Sequence, residues 1–149
     1  MSPEPSGGTV AGSVAGIDHV ALPMRNTDAM ITFYRSLGLS VVENPYLVRI
    51  QLGVQMINFH RPELWQRDFP LRAPAALPPC GDMCFVWQGS VDSLALLLQR
   101  AGISIVEGPV EREGGRRALG TSVYVRDPDG NLIEFMTYAD GPEEHTHAI

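Results

Sequence analysis

Residues 16–39 read GIDHVALPMRNTDAMITFYRSLGL, and residues 81–102 read GDMCFVWQGSVDSLALLLQRAG. The two stretches state one pattern twice, and a repeat is the first thing to settle when reading a fold. In the first copy, residues 16–22 alternate apolar and polar, as a strand with one covered face does. Asn26, Thr27 and Asp28 then offer capping side chains, and Ala29, Met30, Phe33, Tyr34 and Leu37 follow at helical spacing. Gly38 stands where a helix ends on a left-handed residue. In the second copy residues 81–88 are the strand, and Ser90 and Asp92 can cap a helix. Leu94, Leu97 and Leu98 form its buried side, and Gly102 ends it.

Working outward, residues 39–43, 46–52 and 54–60 read as strands after the first helix, with a turn at Asn44-Pro45. After the second helix, residues 103–107 read as a strand, followed by a polar Gly/Arg loop and strands at 121–126 and 132–138. Asp127-Pro128-Asp129-Gly130 joins the last two; Pro fixes one backbone angle and Gly accepts the positive one. Each half is β-α-β-β-β. The expected fold is α+β: two βαβββ modules, 15–60 and 80–139, whose sheets pair into one incomplete barrel with the helices outside. Periodicity alone equally permits an unrelated α+β sandwich.

The segment between the modules, residues 61–79, holds five of the twelve prolines and reads as a linker or covering loop. Trp65, Phe69 and Leu71 within it are expected either to close over a cavity or to fill a dimer interface. Residues 1–14 read as a flexible leader and 140–149 as a flexible tail around one domain, 15–139. The tail's His145 and His147 resemble a metal tract, but their polar setting favours solvated chain.

At 149 residues the chain is long enough for one real core. The net charge of −6, with no basic stripe, argues against nucleic acid as a partner. No apolar run approaches the roughly 20 residues that cross a bilayer, so no membrane association is expected. Residues 1–13 lack the basic start and apolar block of a secretory signal. Two cysteines, Cys80 and Cys84, make no disulfide framework and point to a reducing, cytoplasmic setting.

Three runs carry a resemblance. GTSVYVRDPDGNLIEF at 120–135 is similar to the C-terminal signature of the vicinal oxygen chelate superfamily, which includes glyoxalase I, extradiol dioxygenases and bleomycin resistance proteins. Residues 16–39 resemble its N-terminal signature, and GISIVEGPVER at 102–112 resembles the strand before the last hairpin. Within the superfamily, MINFH at 56–60 and VEGPVER at 106–112 resemble the branch of glyoxalase-domain-containing protein 5. The resemblance covers residues 16–138. It implies a divalent cation at the floor of the barrel, substrate oxygens chelating that cation, a small-molecule substrate and a homodimer.

Alternation and the repeat map the site. On the last strand Leu132, Glu134, Met136 and Tyr138 share one face, while Ile133 and Phe135 share the helix-facing one. Glu134 then points inward, where a carboxylate needs a cation or a proton, since a bare buried charge costs several kcal/mol. On the first strand Ile17, His19 and Ala21 face inward. His19 overlays Asp82 in the repeat, and Glu134 overlays Asn58. The resemblance makes His19, Asp82 and Glu134 metal ligands, with His60 or Asn58 as the fourth. That set suits Mn²⁺, Fe²⁺, Ni²⁺ or Zn²⁺. Metal-binding relatives commonly have His where this chain has Asp82, and glyoxalases have Glu where it has Asn58.

Each candidate also has a plainer reading. Asp82 can form a turn or start its strand, His60 can sit at the rim before Pro62, and Asn58 can brace His60. Cys84 shares a face with Asp82 and lines the cavity or fills space as a small apolar residue. Tyr124 and Arg126 either recognise an anionic substrate or, for Arg126 beside Asp127, make a surface pair. The leading functional expectation is a metal-dependent enzyme of lyase, isomerase or dioxygenase-related type on a small oxygen-rich substrate, with Glu134 moving a proton. The alternative is a metal-free protein that sequesters a small molecule, as bleomycin resistance proteins do.

Overall fold

The structure, a computed structural model, describes residue 8 and residues 10–138. The doubled pattern is realised. The first module runs β1 (His19–Pro23), α1 (Thr27–Ser36), β2 (Ser40–Glu43), β3 (Leu47–Leu52) and β4 (Gln55–His60). A one-turn helix, α2 (Pro62–Trp65), opens the linker. The second module runs β5 (Asp82–Val86), α3 (Val91–Arg100), β6 (Glu107–Glu113), β7 (Leu119–Arg126) and β8 (Leu132–Tyr138). The fold is α+β, with two separate four-stranded sheets in the orders β1-β4-β3-β2 and β5-β8-β7-β6. They are not closed into a barrel.

Alternation sets what each sheet buries. Val48, Ile50, Ile57 and Phe59 of the first sheet and Val123, Val125, Ile133 and Phe135 of the second enter one core. Met30, Phe33 and Tyr34 of α1 and Leu94 and Leu98 of α3 complete it, while Ala29 is exposed and Ile31 takes the place expected of it. Each such large apolar side chain contributes about 1.5–3 kcal/mol by leaving water. Both helices end as expected, with Gly38 at φ 81° and Gly102 at φ 71°.

Two expectations change. The N-terminus of α1 is not capped by its own side chains; instead Asp129 of the other module accepts from the backbone N–H groups of Arg25 and Asn26 at 2.7 and 2.8 Å. Ser90 does cap α3, accepting from the Ser93 N–H at 3.0 Å. The strand expected at 103–107 lies at Glu107–Glu113 instead. Pro109 has no N–H to donate, and Gly108 at φ 98° makes an irregularity between Glu107 and Val110, so regular pairing with β7 begins only beyond it. The linker, finally, is tied to the first module. Trp65 Nε1 donates to the Met24 carbonyl at 2.7 Å, Arg25 donates to the Pro78 carbonyl at 2.8 Å, and Leu71 stays exposed.

Candidate functional site

The strand registers place the candidate residues. In the parallel pair of β1 and β4, Ala21 lies beside Asn58; in the parallel pair of β5 and β8, Cys84 lies beside Glu134. His19 and Asp82, each two residues earlier, therefore hold equivalent places, as do Asn58 and Glu134.

On the uncovered face of the second sheet, Glu134 is flanked by Cys84 on β5 and Tyr124 on β7. The Cys84 thiol and Tyr124 phenol lie beside its carboxylate, and Cys84 Sγ donates to the Phe85 carbonyl at 3.7 Å. Desolvation and then these contacts with Glu134 push the Cys84 thiol up to about 12. Cys84 is therefore a neutral donor here, not a thiolate nucleophile. The Glu134 carboxylate likewise raises the Tyr124 phenol, with Arg112 pulling in the opposite direction. The Arg112 guanidinium sits 5.9 Å from the centre of the Tyr124 ring. Glu134 is half-buried with a thiol and a phenol as its strand neighbours, so it is not the isolated carboxylate in an apolar setting that alternation alone suggests.

One end of this face is closed by the hairpin between β6 and β7. A Cβ on Gly114 would collide with Tyr138 Oη and Met136 Sδ, so the hairpin is pressed against them. Met136 and Ser122 are buried in consequence, although both lie on the uncovered face.

The equivalent face of the first sheet carries His19, Asn58, His60 and, beside Asn58, Arg49. His19 is half-exposed, with Nδ1 2.7 Å from Asp18 Oδ1. Asn58 Oδ1 is buried without a hydrogen-bond partner. His60 meets the edge of Phe69 at 5.8 Å. Burial, and then Arg72, lower its pKa and keep the imidazole neutral, the form that can ligate a metal.

The structure thus brings Glu134, Cys84 and Tyr124 together, with Asp82 one step along β5, and leaves His19 and His60 on the other sheet. Among the described residues no three His, Cys, Asp or Glu side chains converge as a metal-binding group. His19 and His60 lie on a different sheet from Asp82 and Glu134. Arg126 is exposed and donates to the Gly130 carbonyl at 3.0 Å, away from Glu134; its expected surface pairing with Asp127 is not formed, because Asp127 turns inward. His145 and His147 lie outside the described residues. Arg112 is the residue that sequence reasoning missed. Its signal was the Glu-Arg alternation of 111–113, hidden while the strand was placed four residues too early.

No family model matches the chain. It is 40% identical over 131 residues to glyoxalase domain-containing protein RDO1 of Mycosarcoma maydis, covering 86% of this chain and 71% of that one. It is 39% identical over 124 residues to virulence protein STM3117 of Salmonella typhimurium, covering 82% and 83%. The crystal structure of that Salmonella protein superposes with a TM-score of 0.76 at 36% identity, over 86% of this chain and all (100%) of the other. A lactoylglutathione lyase from Agrobacterium tumefaciens gives a TM-score of 0.65 at 27% identity, over 85% and 96%.

Proposed function

This chain belongs to the glyoxalase-domain family of the vicinal oxygen chelate superfamily, and from that premise we propose a metal-dependent enzyme acting on a small, oxygen-rich substrate. The observation that supports it is the register equivalence of His19 with Asp82 and of Asn58 with Glu134. Two carboxylates and an imidazole are a donor set for Mn²⁺, Fe²⁺, Ni²⁺ or Zn²⁺. His19, Asp82 and Glu134 would hold the ion, with His60 or Asn58 as the fourth donor. When bound, the ion would polarise neighbouring oxygens of the substrate.

These donors are divided between two sheets, so the centre requires a first-sheet face to meet a second-sheet face. β1 and β5 end their sheets, and Val20 on one and Val86 on the other are exposed. A second copy supplies the missing face, and a homodimer is part of this proposal. Glu134 accepts the substrate proton at a carboxylate oxygen, while the Tyr124 hydroxyl and Cys84 thiol orient that carboxylate. Asp82 and Asn58 replace the His and Glu expected of a lactoylglutathione lyase, so the substrate differs from that one. The finer placement near glyoxalase-domain-containing protein 5 and a cytoplasmic setting, in keeping with the two free thiols, belong to the same reading. Among the described residues no helix is long and apolar enough to cross a membrane.

Elemental analysis of the purified protein tests it. The expected result is about one metal ion per chain in the wild type and a large loss in Glu134→Ala. No metal in either protein overturns it. A second reading, metal-free sequestration of a small molecule, is favoured by the placement of His19 and His60 on a different sheet from Asp82 and Glu134. It predicts ligand-induced thermal stabilisation that a chelator leaves unchanged.

A further inference from the structure

We propose that Arg112, held against the Tyr124 ring, forms an anion seat beside Glu134, so that the substrate is a small carboxylic acid whose reactive carbon lies next to its carboxylate. The inference rests on the reading of the Glu134 face as the site. Arg112 lies opposite Gly120 in the β6–β7 pair. Gly120 leaves no side chain in the way, and the guanidinium extends along the face until it lies 5.9 Å from the Tyr124 ring centre. Tyr124 in turn lies opposite Glu134 in the β7–β8 pair. Arg112 donates to the neighbouring Glu111 carbonyl, at 2.9 Å. No carboxylate of the described residues lies within ion-pairing distance of it.

A guanidinium has five donors in a planar fork, which matches a carboxylate with two parallel bonds. A cation–π contact with an aromatic ring favours that placement and leaves the N–H edge available. The seat is adjacent to a carboxylate, Glu134, flanked by Cys84 and Tyr124. A substrate carboxylate bound by Arg112 is thereby kept off Glu134 by the intervening Tyr124 side chain, with its next carbon turned toward the Glu134 oxygens. Arg126, at the other end of the face and tied to the Gly130 carbonyl, does not share this position.

The test is binding of pyruvate, lactate and tartrate, and of methyl pyruvate and methyl lactate as uncharged counterparts. Thermal shift and calorimetry are run on the full chain, with Mn²⁺ and with chelator. At least one free acid should stabilise the wild type while its ester does not. Arg112→Gln should weaken that binding tenfold or more, Arg112→Lys should recover part of it, and Tyr124→Ala, which removes the ring beside the guanidinium, should weaken it several-fold. Arg100→Gln, an exposed change on α3, should bind as the wild type does. Esters binding as well as acids, acids failing to bind the wild type, or Arg112→Gln binding normally would each overturn the anion seat. Those outcomes leave metal content untouched, whereas a wild type without metal by elemental analysis that still binds the free acid removes the metal reading and keeps the seat.

Discussion

The Tyr34 hydroxyl donates a 2.7 Å hydrogen bond to Asp127 Oδ2 across 93 residues of chain, and it does so inside the core that joins the two modules. Both residues are buried, Tyr34 completely. Asn131 Nδ2 donates to the same oxygen at 2.7 Å. The other carboxylate oxygen accepts the backbone N–H groups of Asp129, Gly130 and Asn131. One side chain therefore builds the turn before β8 and holds α1 against it. The strand that carries Glu134 begins at that turn, so the junction also positions the candidate site.

Replacing Asp127 with Asn puts an NH2 group where two donors now converge on an acceptor. We expect Asp127→Asn to cost about 2–3 kcal/mol, and Tyr34→Phe about 1–2 kcal/mol, because an unsatisfied buried partner carries its full desolvation penalty. Urea denaturation of the two variants and the wild type measures both. Wild-type stability in Asp127→Asn would show that the junction contributes nothing.

Acid should change that deficit in a definite direction. Burial lifts the Asp127 carboxyl above its ordinary 3.8, against the pull of its bonds from Asn131 and Tyr34. The folded state then holds this proton more tightly than the unfolded chain does. The group's contribution is complete below the unfolded value and is lost as pH rises through the folded one. Asn at this position has no such proton, so the deficit of Asp127→Asn should widen as pH falls from about 6 to about 4. A deficit that narrows over that interval would give the opposite sign.

Asp129 has a separate role that can be isolated. Its carboxylate accepts from the Arg25 and Asn26 N–H groups and from Asn26 Nδ2, at 2.7–2.9 Å, where α1 lacks a cap of its own. Negative charge is also favoured at a helix N-terminus. Asp129→Ala should cost about 1 kcal/mol, in the range of a lost N-cap. Hydrogen exchange should speed up in the first turn of α1 and stay unchanged in α3, which Ser90 caps locally. Equal acceleration in both helices would mean a global loss instead.

These roles were unevenly legible in the sequence. The helices and most strands follow from residues whose spacing is local: Met30, Phe33 and Tyr34 on one helix face, Ile133 and Phe135 alternating with Glu134, and Gly38 and Gly102 at the stops. The equivalence of Asn58 with Glu134 was legible too, because a repeat in sequence became a repeat in register. Asp127 read only as a turn former, since one carboxylate oxygen explains the local signal and the partner of the other lies a module away. Arg112 was hidden by the placement of β6: apolar residues 103, 105 and 106 look like the strand, yet Ile105 and Val106 are exposed. The edge strand itself carries charges, as edges do. The division of the candidate metal ligands between two sheets has no local signature, because alternation fixes which way a residue points and not which sheet it will face.

The irregularity that displaced β6 supplies the sharpest test of the fold. Gly108 sits at φ 98°, and a Cβ added there would collide with the Ser122 carbonyl oxygen and come within 3.2 Å of the Val123 Cα. Both obstacles are backbone of β7, which cannot rotate aside as a side-chain tip does. An L-residue at this φ is strained as well. Gly108→Ala should therefore destabilise the protein by about 2–4 kcal/mol, within the range of backbone and overpacking defects. The damage should be directional. β7 carries Tyr124, and β6 carries Arg112 beyond the irregularity, so shifting the pair separates the guanidinium from the ring. Gly115→Ala, where an added Cβ meets nothing within 4 Å, is the matched control and should be nearly neutral. Thermal denaturation of the two variants in parallel decides it: equal stability would mean that β6 can slide along β7, and the register that sets Arg112 over Tyr124 is not enforced at Gly108.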